Sequence, residues 1–93
     1  MLLAIDIGNT SITFGLYQDD QLGHRWRLAT DHDRMPDEYG LQILGLLQHA
    51  NVSQDQIQGI CMSSVVPPIT GRIQHAIKQY LQLEIMIVDH QTK

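Results

Sequence analysis

The sequence has little of what usually makes chemistry obvious. It holds one cysteine, Cys61, so no disulfide can close within the chain. No His or Lys stands beside Cys61 to lower its pKa, and its apolar neighbours support a small core side chain over a reactive thiol. Positive charge is also scarce, with six Lys and Arg against ten Asp and Glu and a net charge of −4. A nucleic-acid partner needs a concentrated basic face, and this composition argues against one. Long apolar runs are absent too. The opening Met1-Leu2-Leu3-Ala4-Ile5 is cut short by Asp6 and has no basic flank, so it reads as neither a signal peptide nor a membrane span, and the cytoplasm is the expected location. The five histidines, His24, His32, His49, His75 and His90, fall on different elements with no pair at ligand spacing.

What is present is ordinary globular material. With 43 % apolar and 17 % charged residues in 93, the chain has enough for one core and no room for a second domain, so residues 1–93 are expected to form a single unit. Leu2 to Asp6 reads as a buried strand. Gly8-Asn9 follows, a pair that suits a tight hairpin because both residues tolerate positive φ. From Ser11 to Tyr17 the pattern alternates, with Ile12, Phe14 and Leu16 on one face. After a turn at Asp19-Asp20, Leu22, His24, Trp26 and Leu28 are expected to share one face of a third strand, opposite Gly23, Arg25, Arg27 and Ala29.

The β pattern breaks at Thr30 to Pro36. Pro36-Asp37-Glu38 then suits a helix N-terminus, and Tyr39, Gly40, Ile43, Leu44, Leu46 and Leu47 recur at helical spacing until Asn51. Ser53 and Gln56 have the form of a capping box. Ile60 to Val66 is short and unalternating, which suggests a central strand buried on both faces, stopped by Pro67-Pro68. Ile69, Ile73, Ala76, Ile77 and Tyr80 mark a second helix, and Glu84 to Asp89 a last strand. The predicted order β-β-β-α-β-α-β is α/β, a mixed five-stranded sheet with helices packed on it. It is the core of the ribonuclease H-like fold, shared by the actin, Hsp70 and sugar-kinase superfamily.

In such a domain the first hairpin can offer several backbone N–H groups to a nucleotide's phosphates, while the carboxylate of Asp6 faces a metal ion. Gly8 lets the backbone approach an anion, and Asn9, Thr10 and Ser11 add side-chain donors. A plain turn capped by Asp6 explains the same five residues, Asp6 to Thr10. Ser63 and Ser64 end the central strand, where open α/β sheets place ligands, although local bonding before the diproline turn is the simpler use of their hydroxyls. Asp31, Asp33, Asp37 and Glu38 suit a solvated loop and helix start better than a metal site. Arg25 and Arg27 read as exposed sheet charges.

Four stretches together resemble the N-terminal domain of the type III pantothenate kinases, the Bvg accessory factor family. They are Asp6-Ile7-Gly8-Asn9-Thr10 after a short first strand, Trp26-Arg27-Leu28-Ala29-Thr30, Asp37-Glu38-Tyr39-Gly40, and Ser63-Ser64-Val65-Val66-Pro67-Pro68. The resemblance covers essentially the whole chain. It implies a cytoplasmic enzyme, homodimeric at full length, that moves the γ-phosphoryl group of ATP to pantothenate with Mg²⁺ and a monovalent cation, K⁺ or NH₄⁺. It implies that Asp6, Ile7, Gly8, Asn9, Thr10, Ser11, Ile12 and Thr13 bind ATP and that Asp6 serves the metal. Ser11 stands where many members have asparagine. The family's Gly-x-Asp-Arg motif, catalytic aspartate, second phosphate motif and most of its pantothenate pocket match positions past Lys93, so no catalytic residue is expected in this chain and the isolated chain is expected to be inactive.

Two other classes stay in view. A non-catalytic binding or regulatory module would keep the fold without the chemistry. A ribonuclease H-type nuclease would need several carboxylates converging on two metals, and beyond Asp6 the later strands offer only Asp89.

Overall fold

Alternating apolar residues sort the sheet into two unlike faces. The computed structural model describes residues 1–87, running through β1 (Leu2–Ile7), β2 (Ser11–Gln18), β3 (Gln21–Ala29), α1 (Pro36–His49), a short 3-10 turn (Gln54–Gln56), β4 (Gly59–Ser64), α2 (Pro67–Tyr80) and β5 (Ile85–Ile87). The order is the expected one. The five strands lie side by side as β3-β2-β1-β4-β5. β1 pairs antiparallel with β2 and parallel with β4, and β4 pairs parallel with β5. The last strand was expected to reach Asp89; Val88 and Asp89 lie outside the described residues.

One face carries the core. Leu3, Ile5 and Ile7 of β1, Ile12, Phe14 and Leu16 of β2, and Ile60 and Met62 of β4 are each at most 2 % exposed. They pack in one cluster with Tyr39, Ile43 and Leu47 of α1 and Ile69, Ile73, Ala76 and Ile77 of α2. Each such side chain removed from water contributes roughly 1.5–3 kcal/mol, which is why two amphipathic helices suffice to hold this side of the sheet.

The opposite face is open, and this corrects two expectations. β4 is not buried on both faces: Ile60 and Met62 point into the core while Cys61 and Ser63 are half-buried on the open side, so Cys61 is not a core thiol. Leu22 does not share a face with His24, Trp26 and Leu28. Leu16 pairs with His24 but Tyr17 pairs with Leu22, so Gly23 is an extra residue in β3, a bulge that turns Leu22 to the open face beside Tyr17. Leu22 is 47 % exposed there.

The loops are tied by the acids that looked like a metal cluster. Glu38 accepts the N–H of Met35 at the start of α1, and Asp31 accepts the N–H of Asp33. Gln56 accepts the N–H of Ser53, as a capping box requires. The second hairpin turns through Asp19 and Asp20, with φ of 52° and 68°, and α1 ends at Asn51 with φ of 60°. The diproline ends β4 and begins α2, since Pro67 tolerates the first helical position.

Gly40 sets the distance between the helices. A Cβ there would come within 2.5 Å of the Tyr80 ring, and the clash reaches the ring's inner carbon. The ring lies over Gly40 so that its hydroxyl can donate to Asp37 at 2.7 Å. That bond to a carboxylate, helped by burial and by the carboxylate's charge, raises the Tyr80 pKa above its ordinary value of 10.0. Stability drawn from the bond is therefore full below the ordinary tyrosine pKa and is lost as pH rises through the raised one. Gly40→Ala should lower stability by about 1 kcal/mol or more in urea denaturation, because overpacking outweighs the gain in helix propensity. Ultraviolet titration of the same variant should show Tyr80 ionising at lower pH than in the parent.

Candidate phosphate-binding site

The first hairpin is short because β1 and β2 pair almost to its tip. Ile7 pairs with Ile12, the N–H of Gly8 donates to the Ser11 carbonyl at 2.9 Å, and Asn9 and Thr10 form the exposed turn. The expectation of positive φ at Gly8 and Asn9 is overturned. No described residue of this turn has positive φ; such angles occur instead at Asp19 and Asp20 of the second hairpin. Gly8 matters for space, since a Cβ there would lie 3.2 Å from the Ser11 carbonyl oxygen. Among the described residues the N–H groups of Asn9 and Thr10 have no hydrogen-bond partner, so the tip presents unsatisfied donors to solvent.

Behind the tip, strand register brings three polar side chains together on the open face. Asp6 is paired with Thr13 on one side and Ser63 on the other, residues far apart in sequence. The Ser63 hydroxyl donates to Asp6 Oδ1 at 3.1 Å, and the carboxylate is exposed. Ser64 points elsewhere, its Oγ accepting the N–H of Val66 at 2.9 Å. Ser64 thus takes the local use that the sequence allowed, while Ser63 bonds Asp6 across the strands. Ile7 and Ile12 are 0 % exposed on the helix-covered face, so only their backbone can serve a ligand.

Arg27 was read as a surface charge, but it reaches the site. It pairs with Thr13 across β2 and β3, and its guanidinium donates to Ser11 Oγ at 3.2 Å. The only advance signal was its parity with Thr13, which could not be used until the register was known. From Asp6, Thr13 and Ser63 a depression of about 480 Å³ runs along the open face over Ala4, Gly15 and Cys61 to Tyr17, Leu22 and Arg25. The start of α2 cannot add much to an anion site, because Pro67 and Pro68 lack N–H groups. Among the described residues no group of three or more His, Cys, Asp or Glu lies close enough to hold a metal ion by itself, and no helix is long and apolar enough to cross a membrane.

The sequence profile of the type III pantothenate kinases matches residues 2–93. The chain belongs to the type III pantothenate kinase family. It is 47 % identical over 89 residues to the type III pantothenate kinase of Thermomicrobium roseum, covering 96 % of this chain and 34 % of that protein. It is 41 % identical over 88 residues to the enzyme of an Exiguobacterium species, covering 95 % of this chain and 35 % of that protein. The chain therefore spans about a third of the length of the curated relatives it matches, their N-terminal part. Among solved structures it resembles the ROK hexokinase of Thermus thermophilus, with a TM-score of 0.70 at 11 % identity over 95 % of this chain and 34 % of that one. It also resembles T. thermophilus RuvC in complex with a Holliday junction substrate, with a TM-score of 0.66 at 12 % identity over 97 % of this chain and 64 % of that one. At such identities the likeness shows the ribonuclease H-like, actin-like fold alone.

The first strand, its hairpin and the end of β4 form one polar corner, built on a core that ends one residue away. Gly8→Ala should therefore cost about 0.5–1 kcal/mol, the amount expected for a crowded contact without backbone strain. The larger loss that a positive-φ glycine would bring is not expected, and thermal denaturation of the variant distinguishes the two.

Proposed function

We propose that this chain is the first phosphate-binding half of an enzyme that phosphorylates pantothenate to 4′-phosphopantothenate with ATP, the first step of coenzyme A synthesis. The observation that carries this is the exposed Asp6 carboxylate, held by Ser63 directly behind a hairpin tip whose N–H groups are unpaired. Residues 1–93 form the N-terminal half-domain, and the remainder of a complete kinase meets it on the open sheet face, where Tyr17, Leu22 and Met86 are exposed.

The residues fit the magnesium complex of a nucleotide. Oxygen-rich, hard and exposed, Asp6 would hold the ion, which would supply neutralising positive charge at the phosphates. Asn9 and Thr10 donate N–H bonds to the phosphates, Ser11 and Thr13 offer hydroxyls, and Arg27 adds a positive charge beside Ser11. Ile7, Gly8 and Ile12 contribute through the backbone. Ser63 holds the Asp6 carboxylate, and Ser64 shapes the turn into α2. A monovalent cation, K⁺ or NH₄⁺, completes the cofactors of the cytoplasmic, homodimeric kinase.

Phosphoryl transfer needs a base at the acceptor hydroxyl and charge on both sides of the γ-phosphate. Among the described residues Asp6 is the one carboxylate placed behind the hairpin, and as a metal-side ligand it would not serve as that base, so the chain alone binds at most weakly and does not catalyse. Titrating ATP with Mg²⁺ into the chain should move the amide resonances of Gly8, Asn9 and Thr10. Asp6→Asn should weaken the Mg²⁺-dependent part about tenfold, or ~1.4 kcal/mol. Unmoved resonances at millimolar ATP would sink the reading, as would pantothenate-dependent ATP consumption by the pure chain for the claim that it lacks catalysis.

A further inference from the structure

Thr30 follows β3 and touches the hairpin tip twice. Its hydroxyl donates to the Gly8 carbonyl at 2.8 Å, and its N–H donates to the Thr10 carbonyl at 3.0 Å. In a closed two-residue hairpin the Gly8 carbonyl would accept the N–H of Ser11; here Thr30 takes it. We infer that Thr30 is the positioning residue of the phosphate hairpin, holding the Gly8–Asn9 peptide plane so that the Asn9 N–H faces the nucleotide. This rests on the phosphate-binding reading of the hairpin and adds the device that orients it.

The argument is geometric. A trans peptide is planar, with its C=O and N–H on opposite sides. The Gly8 carbonyl and the Asn9 N–H belong to one peptide, so pulling the carbonyl toward Thr30 turns the Asn9 N–H away from it. The Thr10 carbonyl and the Ser11 N–H belong to another, and the same rule applies. Left to itself, an exposed turn without positive φ or a proline samples other peptide orientations, and an anion would have to select among them. Thr30 removes that freedom beforehand.

Thr30 can do this because it is itself anchored. The next residue, Asp31, is bound in both directions by Tyr39: its N–H donates to the phenol oxygen at 3.2 Å and its carbonyl accepts the phenol O–H at 2.9 Å. Tyr39 is 0 % exposed in the core beneath α1. Arg72 of α2 donates to the carbonyls of His32 and Arg34 and secures the rest of the loop. The hairpin is thus braced against the helical layer through one threonine.

Thr30→Val keeps the shape and the N–H but removes the hydroxyl; Thr30→Ser keeps the hydroxyl. In the free chain, Thr30→Val should shift the Gly8 carbonyl carbon and Asn9 amide resonances while those of Ile5 and Phe14 stay in place, and Thr30→Ser should leave all four near the parent. In MgATP titrations Thr30→Val should raise the dissociation constant about fivefold to tenfold, the loss of one hydrogen bond's worth of preorganisation, with Thr30→Ser within about twofold of the parent. Unchanged Gly8 and Asn9 resonances in Thr30→Val, or a serine variant that behaves like the valine one, overturns the inference. An unchanged nucleotide affinity in Thr30→Val overturns it as well. If the parent itself does not respond to MgATP, the nucleotide reading falls, and the resonances of the free variants still decide whether Thr30 orients the hairpin.

Discussion

The register of β1 between β2 and β4 is the constraint on which everything else depends. β1 contributes Leu3, Ile5 and Ile7 to the core and Ala4 and Asp6 to the open face, so a slip of one residue would drive Asp6 into the apolar layer and expose the isoleucines. The unpaired burial of a carboxylate would cost several kcal/mol, far more than one ladder bond. Because the register is fixed, Asp6 stands opposite Thr13 and Ser63, and the hairpin tip falls where β1 and β2 run out of partners. The same isoleucines that bury themselves therefore aim the carboxylate.

Much of this was legible in the sequence because the fold is built on strong patterns. The period-two alternation of Ile12, Phe14 and Leu16 and the helical spacing of Ile69, Ile73, Ala76 and Ile77 leave few ways to form a core. What could not be read depends on contacts distant in sequence. The bulge at Gly23 reverses Leu22 because of how β3 meets β2, and a strict alternation hides it. Arg27 looked like any exposed charge until its strand was registered against Ser11 and Thr13. The two adjacent serines could not be told apart because the strand pleat, which sends one to Asp6 and the other to its own turn, acts only once β4 lies beside β1.

For the glycine of the hairpin, the expectation of positive φ fails. A Gly-Asn pair suggested a left-handed turn, yet of the two hairpins it is the other that holds left-handed residues, Asp19 and Asp20. Gly8 serves the approach of two backbones. Membership of the type III pantothenate kinase family sets this chain among proteins about three times its length.

β3 has one more effect. It is the outermost strand of the sheet and nine residues long, an edge whose free N–H and C=O groups would ordinarily invite another strand to add. The extra residue at Gly23 interrupts that edge, and Arg25 and Arg27 place charge along it. At the other margin the described part of β5 is Ile85–Ile87. The strand that carries Arg27 to Ser11 therefore also has an interrupted and charged outer edge, a poor template for another strand.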